Sequence, residues 1–218
     1  DTTTVTVTSG AATVTTAAVG QDVDGAADGA LTVNSTDAFI AGSVIKGDNG
    51  ANDTLVISNQ VTAVRDFTSY ADLQGVEALT LSLGSTAAVT LDAAMTSAVV
   101  TSGAATVTTS AAGQDITGAT NGVLTVNSTG ANLTGAVIQN DNAADVLVIS
   151  DNTAAVSLAA TVGMENVTLS LGSTGAVTLD ADTTTVTVTS GAATVTTAAV
   201  GQDITGATNG VLTVNSTG

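Results

Sequence analysis

The octapeptide SGAATVTT at residues 9–16 returns unchanged at residues 102–109 and again at 190–197. Within it, Thr13, Val14 and Thr15 alternate polar and apolar positions, the period-two pattern of a strand with one buried face. Ser9 and Gly10 ahead of them are turn residues. Other words recur in the same order: LTVNST from Leu31, Leu124 and Leu212, LVIS from Leu55 and Leu147, LSLGST from Leu81 and Leu169, and VTLDA from Val89 and Val177. The copies stand about 88 to 93 residues apart, which divides the chain into a first unit over 1–93, a second over 94–181 and part of a third over 182–218. Ending inside a unit, without a polar capping sequence at either terminus, the chain reads as a window on a longer array.

A finer beat runs through each unit. Short alternations such as TTTVTVTS, ATVTT, LTLSLG and AVTLD recur about every eight to ten residues or a multiple of that, separated by Gly, Asn, Asp and Ser. In Thr4–Thr8 the valines point inward and the threonines outward. Two modules of about nine residues close a turn of about 18, and about five turns fill a unit. At roughly 4.8 Å per rung the stack is on the order of 55 to 60 Å long. The expected fold is therefore all-β, an elongated β-solenoid of the β-helix or β-roll kind. Tandem β-sandwich domains are the alternative, although sandwiches usually carry larger core residues and longer loops.

Composition narrows the function. Of 218 residues 44% are hydrophobic and 1% aromatic, so the core is aliphatic and the side chains small, which suits a thin, regular β-structure. Nineteen acids face two cations, Lys46 and Arg65, for a net charge of −17. No basic surface can be assembled to neutralise phosphates, which excludes nucleic acid as a partner. No apolar run approaches the roughly 20 residues of a membrane span, so no membrane insertion is expected. Such an acidic surface invites divalent cations, calcium first, because clustered carboxylates repel until a hard cation sits between them. Cysteine and histidine are absent, removing thiol and imidazole chemistry and the usual zinc, copper and iron ligands. The only glutamates, Glu77 and Glu165, occupy equivalent places in two copies and form no catalytic pair, so no enzymatic activity is expected.

The copies also differ. Between LVIS and LSLGST the first unit carries NQVTAVRDFTSYADLQGVEA, where the second has the shorter DNTAAVSLAATVGMENV. Every aromatic and both cations lie in unit one. This insertion is the least repetitive surface and a candidate for a specific contact. Alternatively, Phe67 and Tyr70 plug the base of a longer loop.

The segment GDNGANDTLVIS, residues 47–58, resembles the Gly/Asp-rich nonapeptide of RTX-type calcium-binding β-rolls. Asp53 falls at the pattern's aspartate and Leu55 at its buried leucine, with Asn52 ahead of them. Asp48, Asn49 and Ala51 stand where the pattern often has glycine. In unit two, Asp145 and Leu147 match within QNDNAADVLVIS, which also holds Asp141. NDTLVIS followed by GVEALTLSLG, and ADVLVIS followed by GMENVTLSLG, resemble the repeated body of RTX-related surface-layer proteins and large secreted adhesins of Gram-negative bacteria. The resemblance implies secretion, calcium-dependent folding or assembly, and a lattice or fibre as the product.

One aspartate cannot supply the six to eight or so oxygens that calcium takes. A site would combine Asp48, Asn49, Asn52 and Asp53 with turn carbonyls, with Asp141 and Asp145 as the second-unit counterpart. A second candidate is Asp22, Asp24 and Asp28 in QDVDGAADG, which later copies reduce to Asp115 and Asp203. Turn formation explains the same residues, since Asp and Asn bond their own backbone.

The functional expectation is a structural protein of the bacterial exterior, a surface-layer or extracellular-fibre subunit whose partners are copies of itself and cell-surface glycans. A stalk segment of a giant adhesin is the alternative. Ice binding through Thr-x-Thr triplets at Thr4–Thr8, Thr13–Thr15, Thr106–Thr108 and Thr185–Thr189 is a minor one, since an ice-binding face needs an uninterrupted ladder.

Overall fold

The computed structural model describes residues 2–47, 52–69, 73–140, 142, 144–170 and 175–216. These form short strands of two to five residues, each paired in parallel with the strand one turn before or after it, in a right-through stack of about ten turns. The β-solenoid expectation is borne out. Among the described residues the one helical element is a 3-10 turn at Phe67–Ser69.

The chain visits three sides in a fixed order. Side two and side three each carry an eight-stranded sheet, and side one carries two four-stranded sheets, one early and one late. Counted from side three, two turns have strands on all three sides. In the first, Arg65–Asp66 lies on side three, Leu73–Gln74 on side one and Ala78–Leu81 on side two. In the other, Val146–Ile149, Val156–Ser157 and Thr161–Val162 follow the same order. In both, the four-stranded sheet is reached after side three and before side two, which places the two small sheets on the same side. In the remaining turns two sides carry strands and the third is crossed by a bend.

The repeat does not coincide with the turn. The ATVT strand lies on side two as Ala12–Thr15, on side three as Ala105–Thr108 and on side one as Ala193–Thr196. LTVN moves the same way, from Leu31–Ser35 to Leu124–Ser128 to Leu212–Asn215. Four turns separate Ala12–Thr15 from Ser97–Val100 on side two, and one further side brings the chain to Ala105–Thr108. A unit is thus four turns and one side, against the five turns expected from an 18-residue turn. The difference arises because turns vary: Thr4 pairs with Asp22, 18 residues on, whereas Thr54 pairs with Ala78, 24 residues on.

Alternation builds the core. Leu31–Ser35 and Leu124–Ser128 show the same buried and half-buried alternation, with Leu31, Val33, Leu124 and Val126 inward and the threonines between them outward. Each fully buried Val, Leu or Ile contributes about 1.5 to 3 kcal/mol. One cluster of such residues runs from Val23 to Val195, with Val7 and Leu212 packed against its ends. It crosses both unit boundaries: Ala78–Leu81 pairs with Ser97–Val100, and Asn166–Leu169 with Thr185–Val188. The repeat units therefore share a single core.

The insertion of unit one turns inward. Phe67 is fully buried and is the largest side chain in the core. Beside it the Arg65 guanidinium bonds Asp37, with Nε at 2.6 Å from Oδ1 and Nη2 at 2.5 Å from the Asp37 carbonyl oxygen. Both side chains are nearly buried, and this is the salt bridge found among the described residues. Phe67 and Arg65 thus plug the longer turn rather than face solvent. Tyr70 lies outside the described residues.

Candidate functional site

The aspartates singled out in the sequence act as braces between turns. Asp53 is 1% exposed, and its Oδ1 accepts a hydrogen bond from the Leu31 N–H at 2.6 Å. Its own N–H donates to Glu77 Oε2 at 2.8 Å. Asp145 is fully buried; Oδ1 accepts from the Leu124 N–H at 2.7 Å and from Asn140 Nδ2 at 3.0 Å, and Oδ2 accepts from the Asn142 N–H at 3.0 Å. Each carboxylate satisfies a buried backbone donor at the start of a strand one turn away, where an unmet N–H is costly. Asn52 is exposed. Asp48, Asn49 and Asp141 lie outside the described residues.

The second group is dispersed among three tasks. Asp22 Oδ1 accepts from the Val44 N–H at 2.8 Å, as Asp115 Oδ1 does from Val137 at 2.7 Å. Asp24 is exposed on the outer face, in register with Lys46. Asp28 Oδ1 accepts from the Gly10 N–H at 2.6 Å, and its counterparts Asn121 and Asn209 do the same for Gly103 and Gly191 at 2.9 and 3.3 Å. Because an amide replaces the carboxylate at this corner, the task there is acceptance of a hydrogen bond and needs no charge. Among the described residues no cluster of three or more carboxylates gathers at these corners.

Sequence reasoning missed a third brace. Gln21, Gln114 and Gln202 stand at the same corner of three copies, and the signal was the repeated GQD. Gln114 is 1% exposed; its Oε1 accepts from the Ser110 and Ala111 N–H groups, and Nε2 donates to the carbonyls of Asp92 and Met95 on the preceding turn. Gln202 repeats this with Ala198, Ala199, Asp180 and Thr183.

The outer faces offer rows of small polar side chains. On side three, one row runs Thr90, Thr108, Asn127, Val148, Thr168, Thr187 and Thr205. Asn127 and Val148 interrupt it.

An acidic cleft of about 720 Å³ opens where Gln139 and Asn140 end a strand on side two, against Val162, Glu165 and Asp182 of the following turns. Asn140 is 7% exposed, and its amide nitrogen is engaged by the Gly122 carbonyl at 3.1 Å and by Asp145. That orientation leaves Asn140 Oδ1 without a hydrogen-bond partner among the described residues, and Glu165 Oε2 is buried and equally unpartnered. Burial pushes the Glu165 carboxyl above the usual range, and repulsion from Asp145 and Asp182 adds to this against opposing backbone hydrogen bonds. Asp182 is exposed at the rim, its Oδ2 at 3.4 Å from the Gly163 nitrogen.

Comparison with protein-family models, with curated proteins and with solved structures finds no match to this chain.

Proposed function

We propose that the protein is a structural component of the bacterial cell exterior, a self-assembling surface-layer or extracellular-fibre subunit stabilised by calcium, without a catalytic role. The observation that carries this reading is the advance of one side per repeat unit. Further units would extend the same core by the same operation, and three units return each motif to its starting face, so the geometry is that of a rod with periodic faces.

Surface chemistry supports assembly through a cation. The chain has two basic residues against nineteen acids, and Arg65 is engaged inside with Asp37. Two such rods repel unless positive charge is supplied between them. The RTX-like stretches NDTLVIS and GVEALTLSLG agree with calcium as that charge and with export to the cell surface, where further copies and surface glycans are the partners.

Electron microscopy of the native material with and without a calcium chelator tests the reading. Ordered sheets or fibres that fall apart on chelation are expected. Dispersed rods indifferent to calcium would overturn it in favour of an adhesin stalk that projects a binding domain elsewhere.

A further inference from the structure

Internal duplication supplies a control for every residue of the acidic cleft. Glu165 corresponds to Glu77, Asn140 to Gly47, Gln139 to Lys46 and Asp182 to Ala94. In unit one, Glu77 Oε2 accepts the Asp53 N–H at 2.8 Å. In unit two, the segment from Asn140 to Asp145 is one residue shorter than that from Gly47 to Asp53, the Asp145 N–H donates to the Asn142 carbonyl at 3.0 Å, and the backbone pull that remains on the Glu165 carboxyl leaves its Oε2 without a bonded donor. The same glutamate that is satisfied in one copy is therefore left with a buried, unpartnered oxygen in the other. Three further changes point the same way. A glycine becomes Asn140, which lines the cleft and whose oxygen is left orphaned when its amide nitrogen takes its two bonds. A lysine becomes the neutral Gln139, and an alanine becomes Asp182, so the cleft loses a cation and gains an acid.

We propose that the cleft lined by Gln139, Asn140, Glu165 and Asp182 binds a hydrated divalent cation of the hard, oxygen-seeking class, for which Ca2+ is the probe. Glu165 Oε2 and Asn140 Oδ1 are the inner ligands, both buried acceptor atoms without a hydrogen-bond partner among the described residues. Asp182 closes the rim, and water completes the six to eight or so oxygens that calcium takes, for which a cleft of 720 Å³ has room. The inference rests on the calcium part of the proposed function and moves the ion from the turn aspartates, which already bond the backbone, to a site between turns in unit two.

Isothermal titration of the chelator-treated full chain with CaCl2, together with the calcium-induced shift in melting temperature, tests it. Three variants are compared: Glu165→Gln, Asp182→Ala, which installs the residue of unit one, and Glu77→Gln as the duplicate control. The expected result is a tenfold or greater loss of calcium affinity in Glu165→Gln, a smaller loss in Asp182→Ala, and no change in Glu77→Gln. Asp182 is exposed and its replacement does not threaten folding, so it decides the matter should Glu165→Gln misfold. Calcium binding that is undiminished in Glu165→Gln and Asp182→Ala would overturn the cleft while leaving a calcium-stabilised rod standing. Absence of calcium binding by the parent chain at millimolar concentration would overturn both.

Discussion

The carboxylate of Asp53 accepts a hydrogen bond from the backbone N–H of Leu31, 22 residues earlier, at 2.6 Å, and both residues are buried. Replacing Asp53 with Ala leaves that N–H unmet and is expected to cost about 1 to 3 kcal/mol. Asp53→Asn retains an acceptor and should recover much of it. Urea denaturation with calcium and with chelator checks this, and the loss should be equal in both; a loss confined to the calcium arm would make Asp53 a metal ligand.

Side-chain direction is testable with shape-conserving exchanges at adjacent positions. Val126 is fully buried on side three and Thr125 beside it faces outward. Val126→Thr buries a hydroxyl and should cost about 1 to 3 kcal/mol. Thr125→Val should stay within about 0.5 kcal/mol of the parent. Equal effects in chemical denaturation would overturn the assigned register.

Corner packing depends on glycine at one repeated place. A Cβ on Gly122 would overlap the backbone of Gly103 and Ala104 in the preceding turn, as one on Gly29 or Gly210 would overlap Gly10 and Ala11 or Gly191 and Ala192. Gly103 itself has φ of 76°, where an L side chain is strained. Gly122→Ala must push two turns apart and should cost about 1 to 3 kcal/mol by melting analysis, whereas the exposed neighbour Thr120→Ala should be near neutral.

Acid should weaken the insertion of unit one through Asp37. Burial pushes the Asp37 carboxyl up, but the hydrogen bond from Arg65, the backbone N–H groups of Thr62 and Ala63 and the Arg65 charge outweigh it and hold the carboxyl below its ordinary value. A lowered folded value means the stabilisation is complete above the unfolded carboxylate range and is lost as pH falls through the folded value. Arg65→Met removes this dependence and leaves Asp37 buried without its partner, costing about 3 to 5 kcal/mol at neutral pH. Melting temperature measured from pH 7 down to pH 2 should fall more steeply in the acid range for the parent than for Arg65→Met.

Strand positions, inward valines and the repeat were legible because alternation and turn chemistry are local: Val14, Val107 and Val195 point inward for the same reason in every copy. The corner aspartates were legible as turn residues or as ligands, and local sequence does not separate the two. Tertiary structure decided that, since Leu31, Gly10 and Val44 become the partners of Asp53, Asp28 and Asp22 only when turns of particular length stack. The insertion read as a possible outward contact because a loop's aromatic looks the same on either side of the backbone; Phe67 proved to fill the core. The cleft was hidden for the same physical reason. Asn140, Glu165 and Asp182 belong to three successive turns, and their meeting depends on a one-residue shortening ahead of Asp145. The sequence by itself determined an all-β repeat with an aliphatic core, and the parallel stacking of its strands came with the tertiary structure. Which side each copy faces, and which polar atoms are left without partners, is set by the summed lengths of all the corners, and only the closed tertiary structure performs that sum.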